Sequence, residues 1–218
     1  MTPLKPAIAS SGSQLILGNA YGGFDPENKE FVLTNVLTPR PWVNVMSNGS
    51  YGLAISQIGG GFSWADNSQL RRITRWEQDL VLDSYGRWTY IYDLMRDQVQ
   101  STTFAPCRER LATDEVRHGL GYTVFRRSDG VMETSQTVFV PLGTACEHAI
   151  FEITNLSNQE RRIAVGSYLE WFLGSQGEWH REFHRLFVSV EATESALYAW
   201  KRTGLDEGTR IAPEAPMV

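Results

Sequence analysis

Residues 38–64, TPRPWVNVMSNGSYGLAISQIGGGFSW, decide the fold. The two prolines near the start fix the backbone angle φ and lack an amide proton, so the stretch begins extended rather than helical. Residues 43–45 and 51–58 then predict two strands, joined by a tight turn at residues 47–50 whose side chains tolerate positive φ. The stretch therefore predicts an antiparallel hairpin.

Three consecutive glycines, residues 59–61, close this hairpin beside Phe62 and Trp64. Such a run marks a place where side chains would obstruct a neighbouring group. That place is either a crowded corner of the core or a loop that lies against a ligand. Glycine in a strand-rich chain usually has a packing reason, so we expect the core corner.

Short strands and turns continue along the rest of the chain, and no run at helical spacing exceeds two turns. Residues 71–76 fit a short strand or a surface loop equally well. Residues 163–173 predict one long strand with a shared apolar face. Further strands are expected at residues 20–24, 30–34, 87–94, 116–117, 121–127, 131–140, 148–154, 183–192 and 196–201. The pattern predicts an all-β fold, a large antiparallel sandwich with little helix.

Composition fits one domain of this kind and excludes several partners. The chain has 218 residues, 42% of them hydrophobic, and a net charge of −5. No block of Lys and Arg marks a nucleic-acid surface, and no apolar run approaches the roughly 20 residues that span a bilayer. We expect a lead-in at residues 1–13, a β-sandwich at 14–203 and a tail or linker at 204–218.

A cytoplasmic location is expected, because residues 1–13 lack the apolar run of a signal peptide. Cys107 and Cys146 are too few and too far apart for a disulfide framework or a metal knuckle. We expect both to be buried thiols in a reducing compartment.

Glycoside cleavage would need two carboxylates across one sugar, about 5 Å apart for retention and about 6.5–9.5 Å for inversion. The strand candidates are Asp93, Glu133, Glu152 and Glu170. Glu170 stands out because it lies between two apolar residues, where a carboxylate is costly unless it is paired. An outward-facing or arginine-paired strand glutamate is the favoured explanation of that position, so no catalytic residue is predicted.

Residues 177–185, GEWHREFHR, are the best candidate for a binding edge. Guanidinium and imidazole groups hydrogen-bond sugar hydroxyls, and tryptophan offers a stacking face. The candidate substrate-binding residues are Trp179, His180, His184 and Arg185. A charged solvent loop would have the same composition. The two histidines would share a metal on a helix, but this segment predicts loop and strand, so no metal site is expected.

Several of these stretches, taken in order, resemble the N-terminal domain of glycoside hydrolase family 94. This family holds the cellobiose, cellodextrin and chitobiose phosphorylases and the phosphorylase-like region of cyclic β-1,2-glucan synthases. The matching pieces are residues 21–25, 30–34, 38–44, 47–49, 59–63, 72–75, 117–122, 139–142 and 167–170.

The resemblance implies a super-β-sandwich of the galactose-mutarotase-like kind, followed in such enzymes by an (α/α)₆ barrel. It implies phosphorolysis of β-glucosides with inversion, with inorganic phosphate as co-substrate and no other cofactor. The general acid is an Asp of the barrel, which this sequence does not contain. The sandwich would contribute dimer contacts, and its late loop would reach the acceptor-sugar subsite of the neighbouring protomer of a homodimer.

Residues 182–185 occupy the place of the family's acceptor-contacting Asn-Phe-Gln-Arg-like motif. Arg185 matches the arginine, whereas His184 replaces the glutamine and keeps a polar donor. The substrate implied is a β-linked glucose oligosaccharide. Two alternatives stay open: a stand-alone β-glucan-binding module that uses Trp64, Trp179 and Arg185, or a structural oligomerisation domain. If the closing strands of the sandwich lie beyond Val218, an open sheet edge should be exposed.

The 218-residue chain should be inactive by itself, because the resemblance places the general acid in the barrel. A phosphate-release assay with the purified chain and common β-linked glucobioses should stay flat. Turnover by this chain would overturn that expectation.

Overall fold

The computed structural model describes residues 14–175 and 186–202. The lead-in expected at 1–13 and the tail expected at 204–218 lie outside these residues. None of the described residues forms a helix that could span a membrane. Sixteen strands are described: β1 Gly22–Asp25, β2 Glu30–Leu33, β3 Val43–Ser47, β4 Tyr51–Ser56, β5 Gly61–Ala65, β6 Arg72–Thr74, β7 Trp88–Asp93, β8 Gln98–Ser101, β9 Thr113–Gly119, β10 Tyr122–Ser128, β11 Met132–Phe139, β12 His148–Asn155, β13 Ile163–Tyr168, β14 Trp171–Gly174, β15 Val188–Ala192 and β16 Leu197–Lys201.

The strands form two packed layers and a hairpin. One layer is a six-stranded sheet, β1-β2-β9-β10-β11-β12. The other contains a five-stranded sheet, β14-β6-β5-β4-β3, and a three-stranded sheet, β13-β7-β8, while β15 and β16 pair with each other. The main core joins Leu33, Val116 and Phe125 of the first layer to Leu53 and Trp88 of the second. The predicted all-β antiparallel sandwich is confirmed.

The hairpin predicted within residues 38–64 is present, and two further hairpins join neighbouring predicted strands. β1 and β2 flank a turn at residues 26–29, β3 and β4 flank the turn at 48–50, and β10 and β11 flank the turn at 129–131. In the first, Asp25 Oδ1 accepts the backbone amides of Glu27 and Asn28 at 3.1 and 3.2 Å. Local turn chemistry therefore sets these registers.

The prediction of one long strand over residues 163–173 is wrong. The chain breaks at residues 169–170: β13 pairs with β7 in one sheet, and β14 pairs with β6 in another. Ile163 and Val165 are exposed, whereas Leu173 is buried and has a positive φ of 50°. Because the chain changes sheet at the break, the alternation of buried side chains does not continue across it.

Residues 59–61, named here the glycine corner, lie against neighbouring groups too closely for any side chain. A Cβ atom at Gly60 would lie 2.4 Å from Asp83 Oδ1. A Cβ atom at Gly61, whose φ is +139°, would lie 2.0 Å from the backbone oxygen of Ala54. The expected core corner is confirmed.

A loop that precedes β7 is held against the glycine corner by hydrogen bonds. Ser56 Oγ donates to Asp83 Oδ2 at 2.5 Å and accepts the amide of Gly60 at 3.0 Å. The amide of Gly61 donates to the backbone oxygen of Tyr85 at 2.7 Å. Burial raises the pKa of Asp83, and its hydrogen bond from Ser56 opposes that shift. The corner therefore joins the five-stranded sheet to the approach of the three-stranded sheet.

Arg127 is a buried cation that serves the segment after β8. Its Nη1 donates to the backbone oxygens of Ser101 and Thr103 at 2.7 and 2.9 Å, and its Nη2 donates to that of Glu109 at 2.5 Å. Its Nε pairs with Asp114. One guanidinium thus satisfies three backbone carbonyl groups, at the end of β8 and in the segment after it.

His118 of β9 lies where three strands meet. Its Nδ1 is 3.0 Å from Thr123 Oγ1, and Asn44 of β3 donates to the same hydroxyl at 3.1 Å. Burial lowers the pKa of His118 to about 4 because it disfavours the charged imidazolium, and a backbone hydrogen bond at Trp42 opposes the shift.

Gly61→Ala should destabilise the protein by roughly 3 kcal/mol or more, because the new methyl group meets a backbone oxygen at a strained φ. Urea denaturation followed by tryptophan fluorescence measures the change. Gly166→Ala is the matched control, since a Cβ atom there has nothing within 4 Å. Equal stabilities of the two variants would contradict the role of the corner.

His118 should make stability fall as pH decreases from 6.5 towards 4. In the unfolded chain the imidazole binds a proton at its usual pKa of 6.5, whereas in the folded protein burial lowers that pKa to about 4. The loss, up to about 3 kcal/mol, is complete below the folded pKa. His118→Gln should flatten this part of the profile of unfolding free energy against pH. His148→Gln, on exposed β12, is the matched control variant.

Candidate functional site

All four predicted binding residues, Trp179, His180, His184 and Arg185, lie outside the described residues. The structure does describe both ends of the segment that carries them. β14 ends at Gly174, and the chain is described again from residue 186 into β15. The site is therefore built up from what surrounds these two ends.

A row of directly opposed residues crosses the five-stranded sheet where β14 ends. Gly174 of β14 lies opposite Arg72 of β6, and Arg72 lies opposite Trp64 of β5. Trp64 in turn lies opposite Gly52 of β4. The predicted binding segment thus leaves the sheet at the level of an arginine and a tryptophan.

Two side chains of this row, Trp64 and Arg72, form a stack with the neighbouring Phe62 and Trp76; these four side chains are named here the aromatic–arginine face. The rings of Phe62 and Trp76 are stacked with centroids 4.9 Å apart, and those of Phe62 and Trp64 are 5.2 Å apart. The Cζ atom of Arg72 lies 4.2 Å from the Phe62 centroid and 5.5 Å from that of Trp76. Arg72 is buried, whereas all three rings are half-buried. Such contacts fix the rings while leaving part of each accessible.

The sequence produces this face through strand alternation. Phe62 and Trp64 are two apart in β5 and point to one side of the sheet, while Ser63 points to the other. Gly52 leaves room for the indole, since a Cβ atom there would lie 2.1 Å from the Trp64 ring. Arg72 also donates to the backbone oxygen of Trp76 at 3.2 Å. The arrangement therefore depends on one glycine and two alternating aromatics.

An ion-pair clasp holds the start of β14 to the end of β6. The amide of Arg75 donates to the backbone oxygen of Glu170 at 2.8 Å, and Arg75 Nη1 pairs with Glu170 Oε2 at 3.0 Å. Arg75 Nη2 pairs with Glu77 at 3.0 Å, and Tyr168 donates to Glu170 Oε1 at 3.0 Å. Burial acts to lower the pKa of Arg75, but the two carboxylates outweigh it and raise that pKa. The base of the predicted binding segment is thus fixed by charge.

The candidate catalytic carboxylates have structural partners or lie on an exposed strand. Asp93 is buried and accepts two backbone amides and Arg161. Glu133 pairs with Arg126 at 3.2 Å, and Glu170 belongs to the clasp just described. Glu152 lies on exposed β12. The alternative explanation of Glu170 as an arginine-paired glutamate is confirmed.

A second polar cluster lies on the opposite face of the five-stranded sheet. Tyr51 donates to Glu147 Oε2 at 3.1 Å, and Arg87 pairs with Glu147 Oε1 at 2.5 Å. Burial, reinforced by the charge of Glu147, raises the pKa of Tyr51 far above its usual value. The tyrosine therefore stays protonated and acts as a donor rather than as a base.

The thiols and the metal-binding side chains suggest no further chemistry in the described part of the chain. Cys107 and Cys146 are free, as expected, but half-buried rather than buried, because both lie in loops. Within residues 14–175 and 186–202, no three His, Cys, Asp or Glu side chains are placed to hold a metal ion.

Comparison with known proteins identifies the fold family. The family described as "Glycosyl hydrolase 94, supersandwich domain" matches residues 29–213. The chain belongs to this family. The resemblance given by the ordered motifs is thereby confirmed.

Curated members of the glycosyl hydrolase 94 group are similar over most of this chain. The cyclic beta-(1,2)-glucan synthase NdvB of Rhizobium meliloti (strain 1021) is 31% identical over 195 residues, which is 88% of this chain and 7% of that protein. The N,N'-diacetylchitobiose phosphorylase of Vibrio furnissii is 33% identical over 153 residues, 69% of this chain and 19% of that protein. The 3-O-beta-D-glucopyranosyl-beta-D-glucuronide phosphorylase of Paenibacillus borealis is 30% identical over 197 residues, 88% of this chain and 24% of that protein. The chain thus spans at most a quarter of these relatives.

Within this supersandwich domain, sequence reasoning missed most of the aromatic–arginine face. It weighed Trp64 as a stacking residue but not Phe62, Arg72 or Trp76. The alternation of Phe62 and Trp64 was a usable signal for a shared face. The sequence contained no usable signal for the contribution of Arg72, because residues 71–76 fitted a strand or a loop equally well and their register was unknown.

Proposed function

We propose that this chain is the non-catalytic N-terminal supersandwich of a carbohydrate phosphorylase or related glycosyltransferase. The parent enzyme phosphorolyses β-glucosides with inversion, using inorganic phosphate as co-substrate. This chain contributes dimer contacts and part of the acceptor-sugar subsite. The names of its relatives support the class, because each names an enzyme that makes or breaks a sugar linkage.

The opposed row Gly174–Arg72–Trp64 carries the proposal for the acceptor side. It brings the base of the segment with His184 and Arg185 beside three half-buried rings. A pyranose has an apolar face of C–H groups and a rim of hydroxyls. Rings can stack on the former while guanidinium and imidazole groups bind the latter.

The ion pairs of the strand carboxylates support the proposal that this chain orients the acceptor sugar and does not catalyse the reaction. Asp93, Glu133 and Glu170 are each engaged by an arginine, so they are poorly suited to proton transfer. An acceptor subsite instead needs a fixed orientation of the residues that bind the sugar. The Arg75–Glu170 clasp supplies this by fixing where the binding segment starts.

A stand-alone β-glucan-binding module is the second candidate. The observation that favours it is the partial exposure of Phe62, Trp64 and Trp76, which form a platform of the kind that sugars stack on. The two candidate functions predict different affinities of this chain for glucan. A module binds glucan without other domains, whereas half of an acceptor subsite binds weakly by itself.

Titration calorimetry of the 218-residue chain with β-1,2- and β-1,4-linked gluco-oligosaccharides should give dissociation constants no tighter than about 1 mM.

In the enzyme that the complete gene encodes, Trp76→Ala and Arg185→Ala should each raise the acceptor KM about tenfold with little change in kcat. Tyr92→Ala removes a half-buried aromatic ring from another sheet and should leave KM unchanged.

Two results would count against the acceptor role. Micromolar binding by the chain alone would support the stand-alone module. An acceptor KM that stays the same in both Trp76→Ala and Arg185→Ala would exclude this face and segment from the subsite.

A further inference from the structure

Two connections lie at the same end of the five-stranded sheet. Ala65 ends β5 and Arg72 begins β6, and Gly174, which lies opposite Arg72, ends β14. The loop at residues 66–71, which joins β5 to β6, is therefore found at the end of the sheet from which the predicted binding segment departs.

Backbone acceptors close this loop and tie it to the aromatic–arginine face. The amide of Ala65 donates to the backbone oxygen of Arg71 at 2.9 Å, across the mouth of the loop. Arg72, the buried arginine of the face, donates through Nη2 to the backbone oxygen of Ser68 at 3.3 Å. The position of the loop relative to the stacked rings is thus fixed by main-chain bonds.

The two ends of the loop carry an exposed ion pair. Arg71 Nη1 lies 2.7 Å from Asp66 Oδ2, and the two side chains are 65% and 57% exposed. Asp66 follows Trp64 by two residues, and Arg71 directly precedes Arg72. Because Trp64 and Arg72 lie opposite each other, the ion pair borders the row that holds two members of the aromatic–arginine face.

Stability does not account for this ion pair. A backbone hydrogen bond already closes the loop, and an exposed ion pair adds little to the free energy of folding. Asp66 also adopts a φ of 53°, in the left-handed region that costs energy for a residue other than glycine. By contrast, the ion pair of Arg126 and Glu133 ties β10 to β11 across the sheet. A binding role therefore explains the placement of Asp66 and Arg71 better than a structural one.

We propose that Asp66 and Arg71 together bind two neighbouring hydroxyl groups of the acceptor sugar that stacks on the aromatic–arginine face. This role rests on the proposed function and adds the polar contacts of the same subsite. The carboxylate accepts a hydrogen bond from one hydroxyl, and the guanidinium donates one to the oxygen of the next. Because both groups are held on one closed loop, a sugar with either hydroxyl missing or inverted loses a contact. The pair thus selects the acceptor by its configuration.

Acceptor kinetics of the enzyme that the complete gene encodes test this role. Glucose is the acceptor and α-glucose 1-phosphate the donor, so that phosphate is released as the β-linkage forms. Asp66→Gly and Arg71→Met should each raise the KM for glucose about tenfold with little change in kcat. Glycine tolerates the positive φ at residue 66, and the loop stays closed by its backbone. The urea midpoint of unfolding should therefore stay the same in both variants.

Asp97→Gly is the matched control variant. Asp97 has the same φ of 53°, lies exposed between β7 and β8, and accepts the hydroxyl of Tyr92 at 2.6 Å. Its replacement removes a carboxylate and a polar contact from a different sheet, so the KM for glucose should not change. An equal rise of KM in Asp97→Gly and Asp66→Gly would contradict a specific contact at residue 66.

Monodeoxy analogues of glucose separate hydroxyl binding from a structural effect. In the unsubstituted enzyme, the analogue that lacks the hydroxyl bound by Asp66 should have a KM about tenfold above that of glucose. In Asp66→Gly the same omission should change KM less than about twofold, because the contact has already been removed.

Three results overturn the role of the pair. An unchanged KM in Asp66→Gly or Arg71→Met, while Trp76→Ala and Arg185→Ala raise it, excludes the pair and leaves the acceptor function standing. A raised KM that keeps the full penalty for every deoxy analogue shows a structural effect only. A KM that none of these four substitutions changes, or an enzyme that does not use glucose, counts against the proposed function as well.

Discussion

The close backbone approach at the glycine corner determines where the rest of the second layer lies. β4 is buried at all six positions and meets β5 through residues 59–61, where a Cβ atom on Gly61 would lie 2.0 Å from the backbone oxygen of Ala54. Gly61 also begins β5, so its position sets which β5 side chains face which side. A slip of one residue would exchange Phe62 and Trp64 with Ser63, burying the stack and exposing the core face. Core and candidate site thus depend on the same three residues.

The sequence predicted elements whose signals are local. The turns between β1 and β2 and between β10 and β11 carry their own capping residues, Asp25 and Asp129, and both join strands that the sequence predicts. The break between β13 and β14 was missed because no local signal marks it. Leu169 continues the apolar alternation, and the change of sheet arises from pairing with β7 and then with β6. The alternation of apolar residues along a strand shows which face of the strand is apolar, but it does not show which other strand pairs with it.

The candidate site was only partly predictable for the same reason. Trp179, His180, His184 and Arg185 were selected by residue type, and the structure fixes the frame from which their segment departs. The aromatic–arginine face requires the register Gly174–Arg72–Trp64, which links residues about a hundred positions apart. Its members also hold one another in place, since Arg72 packs on Phe62 and Trp76. A surface that is already rigid loses little conformational entropy when a ligand stacks on it.

Arg127 has a consequence for how this domain can vary. Its guanidinium binds main-chain oxygens of residues 101, 103 and 109, and every amino acid supplies such an oxygen. Substitutions at these three positions therefore leave the acceptors intact, provided that the backbone path is kept. The requirement for a particular side chain therefore falls on position 127, because a lysine there has one nitrogen in place of the planar guanidinium group. An irregular, sequence-tolerant segment is thus secured by a single intolerant residue in a neighbouring strand.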